Sequence, residues 1–211
     1  MLFYYVVKNI GRKYEMSDIR NLALYESGER KIQWVKANMP ILSSLEKEFA
    51  QEKPFEGLRV ALSVHLEAKT AYLCRVLAAG GAEMYVTGSN PLSTQDDVAA
   101  ALVKGGMNVF AYHGATEEEY NEHLRRVIEI APNIIIDDGG DLVNLIHNEY
   151  PQLIENVIGG CEETHSASIF STTATARDRV FGTELTERQT LLLQVKRLLS
   201  QATAGAVRAL Q

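Results

Sequence analysis

Between Leu58 and Asp138, short apolar runs alternate with stretches of helical period, and that rhythm leaves few folds open. The runs are LRVALSV (58–64), AEMYVT (82–87), NVFAY (108–112) and NIIIDD (133–138). Helical patterns lie between them, from about Glu67 to Ala79, Gln95 to Lys104 and Glu117 to Ile130, with glycine pairs at Gly80-Gly81 and Gly105-Gly106. Strands of this length separated by helices of a dozen residues predict βαβ units and a parallel sheet covered on both faces. The expected class is α/β, an open, doubly wound, mostly parallel sheet of Rossmann-like type. Upstream, Ile32, Val35 and Met39, then Ile41, Leu42, Leu45 and Phe49, recur at helical spacing on either side of Pro40, which predicts two N-terminal helices with a break between them.

Composition excludes several classes of partner. A net charge of -6, with basic residues scattered among acidic ones, argues against a nucleic-acid partner. Cys74 and Cys161 stand far apart without CxxC spacing, as expected of a reducing compartment and not of a disulfide framework or metal site. The apolar run in MLFYYVVKNIGRKYE is too short for a secretory core, and nothing is long enough to span a bilayer. The expectation is a cytoplasmic protein with no membrane partner, acting on a small molecule.

In open α/β sheets, ligands sit beyond the carboxyl ends of the strands. His65 follows the first strand, SNPLSTQDD (89–97) the second, and Asp137-Asp138-Gly139-Gly140 closes the NIII run. Each has a plain structural reading. A lone histidine at a strand end is commonly a hydrogen bonder, Ser93 or Thr94 is a ready helix cap, and Asp-Asp-Gly-Gly makes a tight turn followed by a cap. Together they point to a site, because unrelated structural roles have no reason to gather polar groups on one sheet edge.

VHLEAKTA (64–71), SNPLSTQDDVAAAL (89–102), IIIDDGGDLVNLIH (134–147) and GCEET (160–164) occur in an order that resembles adenosylhomocysteinase, the S-adenosylhomocysteine hydrolase family, over residues 16–164. The resemblance implies a substrate-binding domain of a homo-oligomeric, NAD-dependent enzyme that reversibly splits S-adenosylhomocysteine into adenosine and homocysteine. In that chemistry the ribose 3'-hydroxyl is oxidised, the 4' C–H becomes acidic, homocysteine leaves, water adds and the ketone is reduced again. By the same resemblance His65 is the acid–base group near the 5' position, Asp138 works beside it and also contacts substrate, and Glu163 hydrogen-bonds the ribose hydroxyls with Thr164 next to it. Glu67, Thr70, Ser93, Thr94 and Gln95 are expected to line the substrate pocket, within a segment Asn90 to Asp96 that borders it. Glu67 and Lys69 stand where many members carry Thr and Glu.

After Thr164 the family pattern stops: no catalytic lysine and no GxGxxG cofactor domain follow, so the NAD site is expected to be absent. Residues 1–15 read as a non-family extension and 165–211 as a divergent tail. Leu191, Leu192, Val195, Leu198, Leu199 and Ala202 give that tail an amphipathic helical pattern. Its codons read one base out of phase permit HLFDNRYGTGQS over Ser168 to Arg179 and AGYGWCGKG over Ser200 to Arg208, both family-like. The tail is therefore expected to be out-of-frame translation, and the chain inactive without a separate NAD-binding domain. A non-catalytic nucleoside-binding or regulatory module is the alternative; a receiver-like domain with Mg²⁺ at Asp137-Asp138 stands behind both.

Overall fold

The computed structural model describes residues 17–163. Leu22–Leu24 form a 3-10 turn capped by Asn21, and two helices follow, α1 (Tyr25–Asn38) and α2 (Pro40–Glu52). Pro40 opens α2 at a position where its missing N–H costs nothing, so the predicted break is a change of helix. The alternating region then gives β1 (Arg59–Ser63), α3 (Ala68–Ala79), β2 (Glu83–Thr87), α4 (Asp96–Lys104), β3 (Asn108–Val109), α5 (Glu117–Ile128) and β4 (Ile134–Asp137). Two further elements complete the fold: α6 (Asp141–Asn148) and the strand β5 (Gly159–Glu162), joined by a 3-10 stretch, Pro151–Asn156. β5 carries GGCE, whose glycines and glutamate give no β-branched signal; its pairing with β4 makes it a strand.

All pairings are parallel, in the order β3-β2-β1-β4-β5. The expected doubly wound class is confirmed. Side chains alternate across the pleat, and both faces are apolar. Val60, Leu62, Met84, Val86, Ile134 and Ile136 pack beneath α1 to α4, whereas Ala61, Tyr85, Phe110 and Ile135 meet α5 and α6. The order reverses at β1, where β2 and β3 lie to one side and β4 and β5 to the other. Between β1 and β4, flanking loops diverge to opposite faces and leave a crevice at the strand ends. Ser63 pairs with Asp137 in the last register position, so the residues just past them, His65 and Asp138, emerge side by side.

Gly28 sets how closely α1 lies on α4. A Cβ there would stand 1.9 Å from the carbonyl oxygen of Asp97, so only glycine permits this approach. Around it, Ser27 donates to Asp97 at 2.7 Å and Lys31 pairs with Asp97 at 2.8 Å.

Candidate active site

The turn after β1 is pinned by one residue. Leu66 is fully buried, contributing about 1.5–3 kcal/mol, and its neighbours His65 and Glu67 are thereby turned outward. Thr70, buried in α3, donates to the His65 carbonyl at 2.7 Å and fixes the turn from below. The loop after β2 docks on the same turn through Ser89 N to Val64 O and Gln95 N to Leu66 O.

His65 has a polar neighbour at each ring nitrogen. Nδ1 lies 2.5 Å from Ser93 Oγ, and Nε2 lies 3.5 Å from Asp138 Oδ2. Asp138 also accepts from Ser89 Oγ at 3.0 Å. The loops after β1, β2 and β4 thus converge on one imidazole–carboxylate pair at the reversal of strand order. Glu163 follows β5, its amide donating to the Asp137 carbonyl at 3.0 Å. Burial pushes its carboxyl above the ordinary value, Asp138 adds to the rise, and His65 and Lys69 oppose it. Glu163 therefore shares one electrostatic neighbourhood with that pair. Glu67 pairs with Lys69 Nζ at 3.5 Å at the start of α3.

Asp137 serves a different end. Its carboxylate accepts from Val143 N and from Asp138 N, both at 3.0 Å, and its pKa is pushed up to about 7 by burial. Gly139 and Gly140 both take positive φ, 98° and 83°, which lets the chain double back into α6 while the Gly139 amide donates to Glu162 Oε1 at 2.7 Å.

Other expected site residues are engaged elsewhere. Thr94 is buried and donates to the Asn90 carbonyl, Gln95 accepts from Lys31 at 2.8 Å, and Asp96 accepts from the His113 amide. Neither Ser93 nor Thr94 caps α4, whose N-cap is Gln95 without a side-chain bond. Thr164 lies outside the described residues. Sequence reasoning missed Tyr120, whose hydroxyl donates to Asp141 at 2.6 Å and lies 3.2 Å from the Ser89 carbonyl. Burial and Asp141 together push that phenol well above its usual range. A tyrosine in mid-helix offers no sequence signal of this kind.

Among the described residues, the turns at the strand ends differ from a dinucleotide-binding turn. The turn after β1 is Val64-His65-Leu66-Glu67, and the turn after β2 has Gly88 alone, so neither is the glycine-lined helix entry that lets amides close on a pyrophosphate. Gly139-Gly140 lies among Asp137, Asp138, Asp141 and Glu162, a neighbourhood hostile to two more phosphate charges. Among the described residues no group of three or more His, Cys, Asp and Glu side chains is placed to hold a metal ion, and no helix is long and apolar enough to cross a membrane. Cys74 is buried in the core, its thiol pushed up to about 12, and Cys161 is half-buried on β5.

A family model described as S-adenosyl-L-homocysteine hydrolase matches residues 15–211. The chain belongs to this family. Among curated relatives, an S-inosyl-L-homocysteine hydrolase of Methanocaldococcus jannaschii is 51% identical over 154 residues, covering 73% of this chain and 37% of that protein. An adenosylhomocysteinase of Pyrococcus abyssi is 46% identical over 162 residues, covering 77% and 38%, and one of Aquifex aeolicus 49% identical over 153 residues, covering 72% and 37%. The matched segment thus spans little more than a third of each of these S-adenosyl-L-homocysteine hydrolase family members. Relatives named for inosyl and for adenosyl substrates resemble the chain to nearly the same degree.

Proposed function

We propose that this chain carries the substrate-binding part of a hydrolase that splits a purine-nucleoside thioether of L-homocysteine, and that its preferred purine is the 6-oxo form, as in S-inosyl-L-homocysteine. The observation that carries the purine choice is the Glu67–Lys69 pair beside His65. Lysine offers donors only and an ionised glutamate acceptors only. Hypoxanthine presents an O6 acceptor next to an N1–H donor, which this pair complements. Adenine presents the reverse, an N6 amine donor next to an N1 acceptor, so the preference rests on the proposed orientation in which Lys69 meets the C6 substituent and Glu67 the N1 position. A mismatched buried edge costs about 1–3 kcal/mol, on the order of tenfold or more in affinity.

Within this reading His65 moves a proton between the thioether sulfur and the attacking water, with Asp138 at its Nε2 side. Glu163, with its raised pKa, hydrogen-bonds the ribose hydroxyls. Hydride removal from the ribose is chemistry that bound NAD supplies in the family. Residues 17–163 do not provide for it, so the chain is proposed to bind nucleoside without turning it over alone. The reading of residues 165–211 as out-of-frame translation belongs to the same proposal. It is tested by the source DNA, where an intact frame with no GYG motif in any phase would reject it.

Calorimetry on the full chain with inosine and with adenosine tests the substrate reading. Tighter inosine binding is expected, reversed in the double variant Glu67→Thr, Lys69→Glu. A wild-type preference for adenosine would assign the chain to the adenosyl class, and failure to bind either nucleoside would remove the proposal.

A further inference from the structure

Ser93 was expected to touch substrate, yet its hydroxyl is already committed. Oγ lies 2.5 Å from His65 Nδ1 and 3.0 Å from the Asn90 carbonyl oxygen. A serine hydroxyl has one hydrogen and two lone pairs, and a carbonyl only accepts. With the hydrogen on Asn90 O, a lone pair of Oγ faces His65, and the imidazole must donate from Nδ1. The opposite arrangement, Ser93 donating to Nδ1, forces the ring hydrogen of neutral His65 onto Nε2 and leaves that nitrogen unable to take a proton.

We propose that Ser93 is a positioning residue that keeps a hydrogen on His65 Nδ1 and thereby reserves Nε2, the nitrogen facing Asp138, for proton transfer. Both working states of such a histidine, the imidazolium that gives a proton and the neutral ring that takes one, carry hydrogen on Nδ1. A hydroxyl that accepts there serves both states without reorienting. The loop holds Oγ in place: Leu92 N donates to Asn90 Oδ1 at 2.8 Å, Ser93 N donates to Asn90 O at 3.1 Å, and the buried Thr94 hydroxyl donates to the same carbonyl at 3.1 Å. The positioning role rests on the proposed function; the tautomer does not.

The test is ring nitrogen NMR on the full chain labelled with ¹⁵N-histidine, at a pH high enough for His65 to be neutral, its signals identified by their loss in His65→Gln. Wild type is expected to show a protonated Nδ1 and an unprotonated Nε2. Ser93→Ala should turn the Nδ1–H form from the major to the minor population, and Ser93→Thr should restore it. A protonated Nε2 in wild type, or a Ser93→Ala spectrum unchanged from wild type, overturns the proposal. If the alanine variant does not fold, the wild-type and threonine spectra decide. Nδ1–H found without any nucleoside binding would sink the functional reading and leave the tautomer standing.

Discussion

Asp137 and Asp138, adjacent at the end of β4, send their carboxylates to different destinations: Asp137 accepts the Val143 amide of α6 and the amide of Asp138, and Asp138 faces His65 across the crevice. One secures the sheet to its helix, and the other faces the imidazole. The division follows from strand alternation, which turns successive side chains to opposite sides. A magnesium ion held by both would need the two carboxylates to converge, and here one turns to the Val143 amide and the other to His65.

Asp137 makes stability depend on pH in a recognisable way. Its folded pKa, about 7, lies above the ordinary 3.8, so folding takes up a proton between those values and stability from this group falls as pH rises through the window. The effect is on the order of a few kcal/mol at most. Urea midpoints of wild type and Asp137→Asn, compared from pH 4 to 8, should show the variant gaining on wild type up to about pH 7. A difference that does not change with pH would show that Asp137 does not titrate in this range.

Glu29 behaves oppositely. The Arg75 guanidinium, bonded to it at 2.9 and 2.5 Å, holds its carboxyl down at about 2 against the ordinary 4.5. Its contribution is fully present above pH 4.5 and is lost as pH falls toward 2. The Glu29→Gln chain should therefore be less stable near neutrality yet converge on wild type at about pH 2 in acid unfolding; a gap that persists there would contradict the ion pair.

Gly28→Ala inverts a general rule. Inside a helix, replacing glycine by alanine ordinarily gains about 1 kcal/mol. Here the new methyl meets the Asp97 backbone, and overpacking should destabilise by about 1–3 kcal/mol in chemical denaturation. A stabilised variant would show that α1 and α4 do not lie this close.

Leu66→Ala should cost about 2–5 kcal/mol, as for other fully buried leucines. Because the same side chain turns His65 and Glu67 outward, nucleoside affinity measured under folding conditions should drop as well. Lost stability with unchanged affinity would mean that other bonds hold the turn, Thr70 to the His65 carbonyl first among them.

The sequence by itself determined the alternation from β1 to β4, the helix break at Pro40 and the class of fold, and by resemblance it nominated His65, Asp138 and Glu163 as candidate site residues. These are legible because apolar period reports which face of a local element is buried, and because long motifs in order mark a family. Only the tertiary structure decided that β1 lies beside β4 and that GGCE is a strand. It also turned Ser93 to His65 while Gln95 went to Lys31 and Thr94 into the core. A hydroxyl or amide bonds to whichever partner the packing of distant strands brings within about 3 Å. No periodicity along the chain encodes that distance.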